Sequence, residues 1–309
     1  MKLTLPDKSI RDLKNGSTGF DLANDIGPGL AKAAVAVTVD GVQKDLHDPI
    51  MHDANISIIT IDSEEGLEIM RHTLAAQVLA RAVKNLYPKS KLAIGPTIKD
   101  GFYYDVECKK TISIDDLKKI EKEMDKIVKT KSSITKKLLS KKDALKVFKD
   151  KDESYKEEII NDSDQEDEFQ LYYQDDEDFV DLCKGPHLPN LNFIGAYKLT
   201  TISGAYWKGD SSNTMLTRIY GTAWSNEKDL NEHLNNIEEA QKRDHRKLGK
   251  EMDLFHFQDD APGMVFWHPN GWSIYRNLRN FVRKRLQEND YIEVNTPQVI
   301  DRKLWEASG

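Results

Sequence analysis

Apolar and polar residues alternate at the start of the chain, and the period then changes several times. Lys2-Leu3-Thr4-Leu5 and Ser9 to Leu13 read as short strands, and Thr18 to Ile26 as a helix closed by a turn at Gly27-Pro28-Gly29. Ala34 to Val39 and Ser57 to Ile61 are β-branched and predict two more strands, with a turn at Gly41. Residues 1–61 therefore predict a small mixed α/β module. From Glu65 the apolar positions Leu67, Met70, Leu74, Val78, Ala82 and Leu86 fall at helical spacing until Pro88 stops them. Ser113 and Asp116 form a box-like start, and Leu117, Ile120, Met124 and Ile127 give the second helix an apolar face.

Strict alternation returns over residues 193–224, with a turn at Ser203-Gly204, and predicts antiparallel sheet. A charged helix follows from Glu227 to about Arg246. A third unit starts near Leu248 and contains Met264 to Trp267, then a turn at His268 to Gly271. Its long helix carries Ile274, Leu278, Phe281, Val282 and Leu286 on one side, and Tyr291 to Val294 reads as a strand ending at Thr296-Pro297. One helix and one strand do not close a core, so this unit is expected to be the start of a larger domain, truncated at Gly309.

Composition adds constraints. Lys plus Arg number 45 against 52 Asp plus Glu, a net charge of −7, so the average surface repels phosphate and a nucleic-acid partner needs a local basic patch. No apolar stretch approaches the roughly 20 residues of a membrane span, Met1 to Ile10 has no secretory apolar region, and Cys108 and Cys183 are too few for a disulfide framework. The cytosol is the expected compartment. Thirteen lysines between Lys118 and Lys151 read either as a solvated face or as a track for a phosphate backbone, and the nine carboxylates from Asp162 to Asp178 as a solvated loop or helix end.

Candidate chemistry centres on Cys183-Lys184-Gly185-Pro186-His187, a thiol and an imidazole four residues apart, usable for metal ligation or a shared polar pocket. On the helix over 65–86, Gln77 and Arg81 are an i, i+4 pair. His72 precedes Gln77 by five residues, so in an α-helix it points elsewhere and reads as a structural or surface histidine. No complete metal site and no glycine-rich phosphate loop is present.

Six strings at consistent spacing resemble the threonyl-tRNA synthetase family. They are Ile94-Gly95-Pro96, Asp100 to Asp105 (DGFYYD), Asp181 to His187 (DLCKGPH), Gly204 to Asp210 (GAYWKGD), Arg218 to Trp224 (RIYGTAW) and Ala261 to His268 (APGMVFWH). The resemblance implies a multidomain α+β chain. Residues 1–61 would be a ubiquitin-like β-grasp (TGS) module and 62–225 an editing domain. Residues 226–245 would be a linker helix and 246–309 the opening of a class II antiparallel-sheet catalytic domain. It also implies an editing pocket at Cys183, His187, Lys156, Asp181 and Tyr104, with Gln77 and Arg81 standing where a histidine pair is usual. Neither of those two reproduces imidazole chemistry near neutral pH.

Threonine tRNA is the implied partner, contacted through Lys242, Arg243, Arg246 and Lys247, and a homodimer is implied through the catalytic domain. The full-length activity implied is ligation of threonine to its tRNA with ATP, Mg²⁺ and Zn²⁺, whose binding residues are expected beyond this chain, so the chain by itself is expected to lack ligase activity. A freestanding trans-editing deacylase and a non-catalytic RNA-binding module are the alternatives. A second, editing site has a physical rationale: serine lacks one methyl of threonine, and a methyl is worth only about 1–3 kcal/mol of discrimination.

Overall fold

The computed structural model describes residues 1–175, 179–297 and 301–308, and the chain divides into two compact units, Met1–Glu232 and His233–Gly309. The end of the predicted acidic stretch, residues 176–178, lies outside the described residues.

The first unit opens with strands β1 (Lys2–Thr4) and β2 (Ile10–Asp12), helices α1 (Gly19–Ile26) and α2 (Pro28–Ala33), and strands β3 (Ala34–Val39), β4 (Val42–Asp45) and β5 (Ala54–Thr60). The sheet order is β2-β1-β5-β3-β4, with β1 and β5 parallel at its centre. Thr18 and Asp21 form a capping box that starts α1, and Leu22 packs with Leu3, Val37, Val39 and Ile56 in a core of its own. Gly27 ends α1 as predicted, but Pro28 then opens α2. Proline is tolerated at a first helical position because the N–H it lacks has no helical partner there.

The predicted helix over 65–86 is three pieces: α3 (Glu64–Thr73), a π-helical segment (Leu74–Leu79) and α4 (Ala80–Leu86). This helix packs against a sheet of order β12-β13-β8-β6, built from β6 (Lys91–Leu92), β8 (Gly101–Glu107), β12 (Ala196–Tyr206) and β13 (Met215–Trp224), with β7 (Thr97–Ile98) beside β8. The core between them includes Leu74, Val78, Leu79, Phe102, Tyr104, Ile120, Met124 and Ile219. The predicted turn at Ser203-Gly204 is not formed, since β12 runs unbroken to Tyr206 and pairs there with Met215. Helix α5 (Leu117–Lys129) buries Leu117, Ile120, Met124 and Ile127, the apolar face read from the sequence.

A second sheet, order β11-β10-β9, contains β9 (Ile134–Leu139), β10 (Phe169–Gln174) and β11 (Val180–Leu182), with α6 (Lys141–Asp150) and α7 (Ser154–Asn161) between β9 and β10. The acidic stretch is thus interrupted by a strand whose Phe169, Leu171 and Tyr173 are buried.

Helix α8 (Glu227–Lys242) spans the division between the units and stops before α9 (His245–Glu251), so the predicted helix to Arg246 is broken at Asp244, which caps α9. The second unit continues with β14 (Phe255–His256), β15 (Phe266–Trp267), α10 (Pro269–Gln287) and α11 (Arg302–Ser308). On α10 the predicted apolar side is uncovered, with Leu278 61% and Phe281 60% exposed. Residues 291–297 form no strand, because a strand needs a hydrogen-bonded neighbour and the described residues offer none there.

Gly66 lets the first turn of α3 lie directly on the end of β5: a Cβ there would sit 2.0 Å from the Thr60 carbonyl oxygen. Gly66→Ala is expected to cost about 1–3 kcal/mol, read as a lower urea midpoint at unchanged m-value. An unaltered midpoint would show that this contact does not hold α3 in place.

Candidate active site

Helix α7 begins where Glu153, buried, bonds Lys84 at 2.5 Å and takes the Leu92 N–H at 2.7 Å. Burial raises the Glu153 carboxyl above its ordinary value. Tyr155 stacks edge-on to Trp207 at 4.9 Å. These contacts fix the first turn, and Lys156 is thereby aimed inward. Its Nζ lies 2.5 Å from Asp181 Oδ1, with both side chains buried. The Tyr104 hydroxyl donates to Asp181 Oδ2 at 2.9 Å, and Lys156 stands over the Tyr104 ring at 5.6 Å. Burial first, then the Asp181 charge, drives the Tyr104 hydroxyl well above its ordinary value, so it remains a donor.

Beside this cluster, Cys183 Sγ is 2.9 Å from His72 Nε2. The His72 ring stacks on His187 at 4.5 Å between centroids, and Tyr172 meets His187 edge-on at 4.4 Å. The Pro186 carbonyl accepts from the His72 ring. With Nε2 turned to sulfur, Nδ1 is the donor and Nε2 can accept the thiol hydrogen. Burial lowers the His72 pKa below 6.5, which keeps the ring neutral near pH 7. The Thr73 hydroxyl donates to Ile69 O at 2.8 Å and lies 3.2 Å from His187 Nδ1, so Nδ1 carries the hydrogen and His187 Nε2 presents a buried lone pair without a partner.

Both groups reach a cavity of about 460 Å³, lined by His72, Lys156, Asp181 and Cys183 and by apolar residues including Ile94 and Phe169. That volume falls in the usual range for small-ligand sites, about 300–1,000 Å³. A neutral imidazole against a thiol, next to a buried cation and anion, can accept a proton from a water and hold a polar substrate in place.

Of the residues read from the sequence, Cys183, Lys156 and Asp181 line the cavity, while Tyr104 and His187 are buried behind them, Tyr104 bonded to Asp181 and His187 stacked on His72. Gln77 and Arg81 do not line the cavity. Gln174 joins them instead, donating to the Gln77 carbonyl at 2.7 Å and accepting from Arg81 Nη1 at 2.6 Å. His72 is corrected: it is neither a surface nor a purely structural histidine but the partner of Cys183. The π segment explains the error, because i→i+5 bonding changes the number of residues per turn, and positions counted on an α-helix from Pro88 lose their register across it.

The reading that no metal set is complete changes too, since His72, Cys183 and His187 bring three ligand atoms within 4.8 Å of one another. This soft N/S donor set, with the unpartnered His187 Nε2, suits a zinc-like ion. The lysines and arginines read as RNA contacts are ion-paired: Lys242 with Glu238 and Glu239, Arg243 with Glu239, Arg246 with Asp244 and Lys247 with Glu251.

The TGS domain family matches residues 1–60, and the family described as the threonyl and alanyl tRNA synthetase second additional domain matches residues 170–220. The second of these descriptions is of a domain of threonyl and alanyl tRNA synthetases, and that match runs from β10 into β13, including Asp181, Cys183 and His187. More particularly, the chain is similar over 99% of its length to threonine–tRNA ligases. Identity is 50% over 307 residues with that of Prochlorococcus marinus, 51% over 305 residues with that of Legionella pneumophila, and 48% over 307 residues with that of Psychrobacter cryohalolentis. It spans 48%, 47% and 47% of those relatives, about half their length. Among the described residues no helix is long and apolar enough to cross a membrane.

Removing one charge from the buried pair isolates the other. Asp181→Ala is expected to cost about 3–5 kcal/mol in urea unfolding, and the double variant Asp181→Leu, Lys156→Met is expected to recover part of it. A single variant as stable as the parent would contradict the pair's burial.

Proposed function

We propose that the cavity at Cys183 is a hydrolytic editing site that receives the 3′ end of a tRNA mischarged with serine. The whole protein, in this reading, is a cytoplasmic, homodimeric threonine–tRNA ligase that joins threonine to its tRNA with ATP. The observation that carries it is the 2.9 Å pairing of a half-buried neutral imidazole, His72, with the Cys183 thiol in the wall of a cavity that the Lys156–Asp181 pair also lines. Similarity to threonine–tRNA ligases over 99% of the chain supports the ligase reading over a freestanding deacylase or a non-catalytic module, because it runs on through the second unit.

In this reading His72 accepts a proton from water as the water attacks the acyl carbonyl, and the proton is then returned to the departing ribose oxygen. Lys156, Asp181 and Tyr104 hold the serine amino and hydroxyl groups. The alternative use of the same atoms is metal binding: were an ion held by His72, Cys183 and His187, His72 would be a ligand rather than the base, and the ion would polarise the carbonyl or the water. ATP, Mg²⁺ and the ligase's Zn²⁺ belong to the proposal for the whole protein, and no described residue is assigned to them. Threonine tRNA is the proposed partner, with Lys242, Arg243, Arg246 and Lys247 exchanging their carboxylate partners for phosphates.

Hydrolysis of seryl-tRNA by this chain tests the reading. His72→Ala is expected to lower the rate by about 10²–10⁴-fold, the range for a lost general base. The neutral ring is the active form and its pKa is depressed. Activity is therefore expected to persist as pH falls through 6.5 and to be lost only below it. No hydrolysis by the parent chain, or none lost in His72→Ala, would contradict the proposal.

A further inference from the structure

One carboxylate from the N-terminal sheet reaches the wall of the site. Asp45, the last residue of β4, accepts the His187 backbone N–H through Oδ1 at 2.9 Å. Through Oδ2 it accepts the Tyr172 hydroxyl at 2.7 Å and pairs with Lys136 Nζ at 2.8 Å. Lys136 on β9 and Tyr172 on β10 are cross-strand partners, so a single group from the TGS module ties two strands and the Cys183–His187 loop together.

Geometry carries this tie into the reacting groups. The Tyr172 hydroxyl that Asp45 holds lies against Gly185, where a Cβ would come within 1.9 Å of it, and Gly185 takes a φ of +63°. The Tyr172 ring sits edge-on to His187, whose ring stacks on His72. His187 is 2% exposed, so loss of Asp45 would leave its N–H buried without this acceptor. Asp48, by contrast, pairs with Lys136 at 2.5 Å in the same interface.

We propose that Asp45 is a positioning residue for the hydrolytic site, by which the TGS module fixes His187 and, through the ring stack, the His72–Cys183 pair. This rests on the hydrolytic reading above. The two can be tested apart, because the placement of Cys183 can be measured without hydrolysis.

The experiment compares Asp45→Ala, Asp45→Asn and Asp48→Ala in the full chain. Two readouts are taken: kcat and KM for seryl-tRNA hydrolysis, and the rate of Cys183 alkylation by iodoacetamide with Cys108 as internal reference. Burial pushes the Cys108 thiol up to about 11, so it serves as a slow standard. Asp45→Ala is expected to lower kcat about ten-fold or more with KM nearly unchanged, as misplaced catalytic groups do. It is also expected to change the Cys183-to-Cys108 ratio about threefold or more, while Asp48→Ala leaves both readouts near the parent.

Should Asp45→Ala not fold, Asp45→Asn keeps an oxygen for the His187 N–H but loses the charge beside Lys136 and the acceptor for Tyr172, and is expected to move both readouts in the same direction by a smaller factor. If Asp45 and Asp48 variants lose activity and change alkylation equally, or neither changes anything, the proposal is overturned. If the parent does not hydrolyse seryl-tRNA, the hydrolytic reading fails and alkylation alone decides. A ratio changed only by Asp45 substitution then upholds the positioning role, and an unchanged ratio removes it.

Discussion

Lys156 and Asp181 hold opposite charges 2.5 Å apart with both side chains almost fully buried at the cavity wall. Desolvating two ions costs several kcal/mol each, which attraction offsets only if their remaining hydrogen bonds are met. Here they are met in part by the Tyr104 hydroxyl and by the Leu182 N–H, which donates to Asp181 Oδ1 at 2.8 Å. The pair therefore fixes α7, β8 and β11 relative to one another. Of these, α7 and β11 line the cavity, and β11 leads directly into Cys183. The contact that organises the domain thus also presents a fixed cation and anion at the cavity wall.

The helix running past the cavity illustrates a different economy. Its π segment is fully buried from Leu74 to Leu79, so its irregular hydrogen bonding is shielded by packing on both sides. The departure from α geometry lies one residue beyond Thr73, the side chain that ties His187 and Leu188 to the helix. Segments of this kind often accompany functional sites, because one extra residue re-aims the side chains that follow without ending the helix.

Much of the fold was legible where local chemistry dominates. Ser113 with Asp116, the β-branched run of β3, the apolar spacing of α5 and the alternation of β12 and β13 each decide their own structure within a few residues. Elsewhere the outcome depends on distant partners. Tyr291 to Val294 has strand composition but no neighbour to pair with, Ser203-Gly204 has turn composition but is held straight by β13, and Phe169 to Gln174 becomes a strand inside an acidic stretch because two strands flank it. In the site, the Cys183 and His187 spacing was visible and the residues around it could be named. His72 was missed because the helical period was assumed constant. Asp45 was missed because nothing local links a residue of the first module to a loop 142 positions later.

The most direct measurement is a structure of the chain with a non-hydrolysable serine amide of 3′-amino-adenosine. The account predicts the seryl group at the end of the cavity, its amine and hydroxyl at Lys156, Asp181 and Tyr104, and its carbonyl facing His72 and Cys183. An analogue bound elsewhere, with that cavity unaltered, would contradict it.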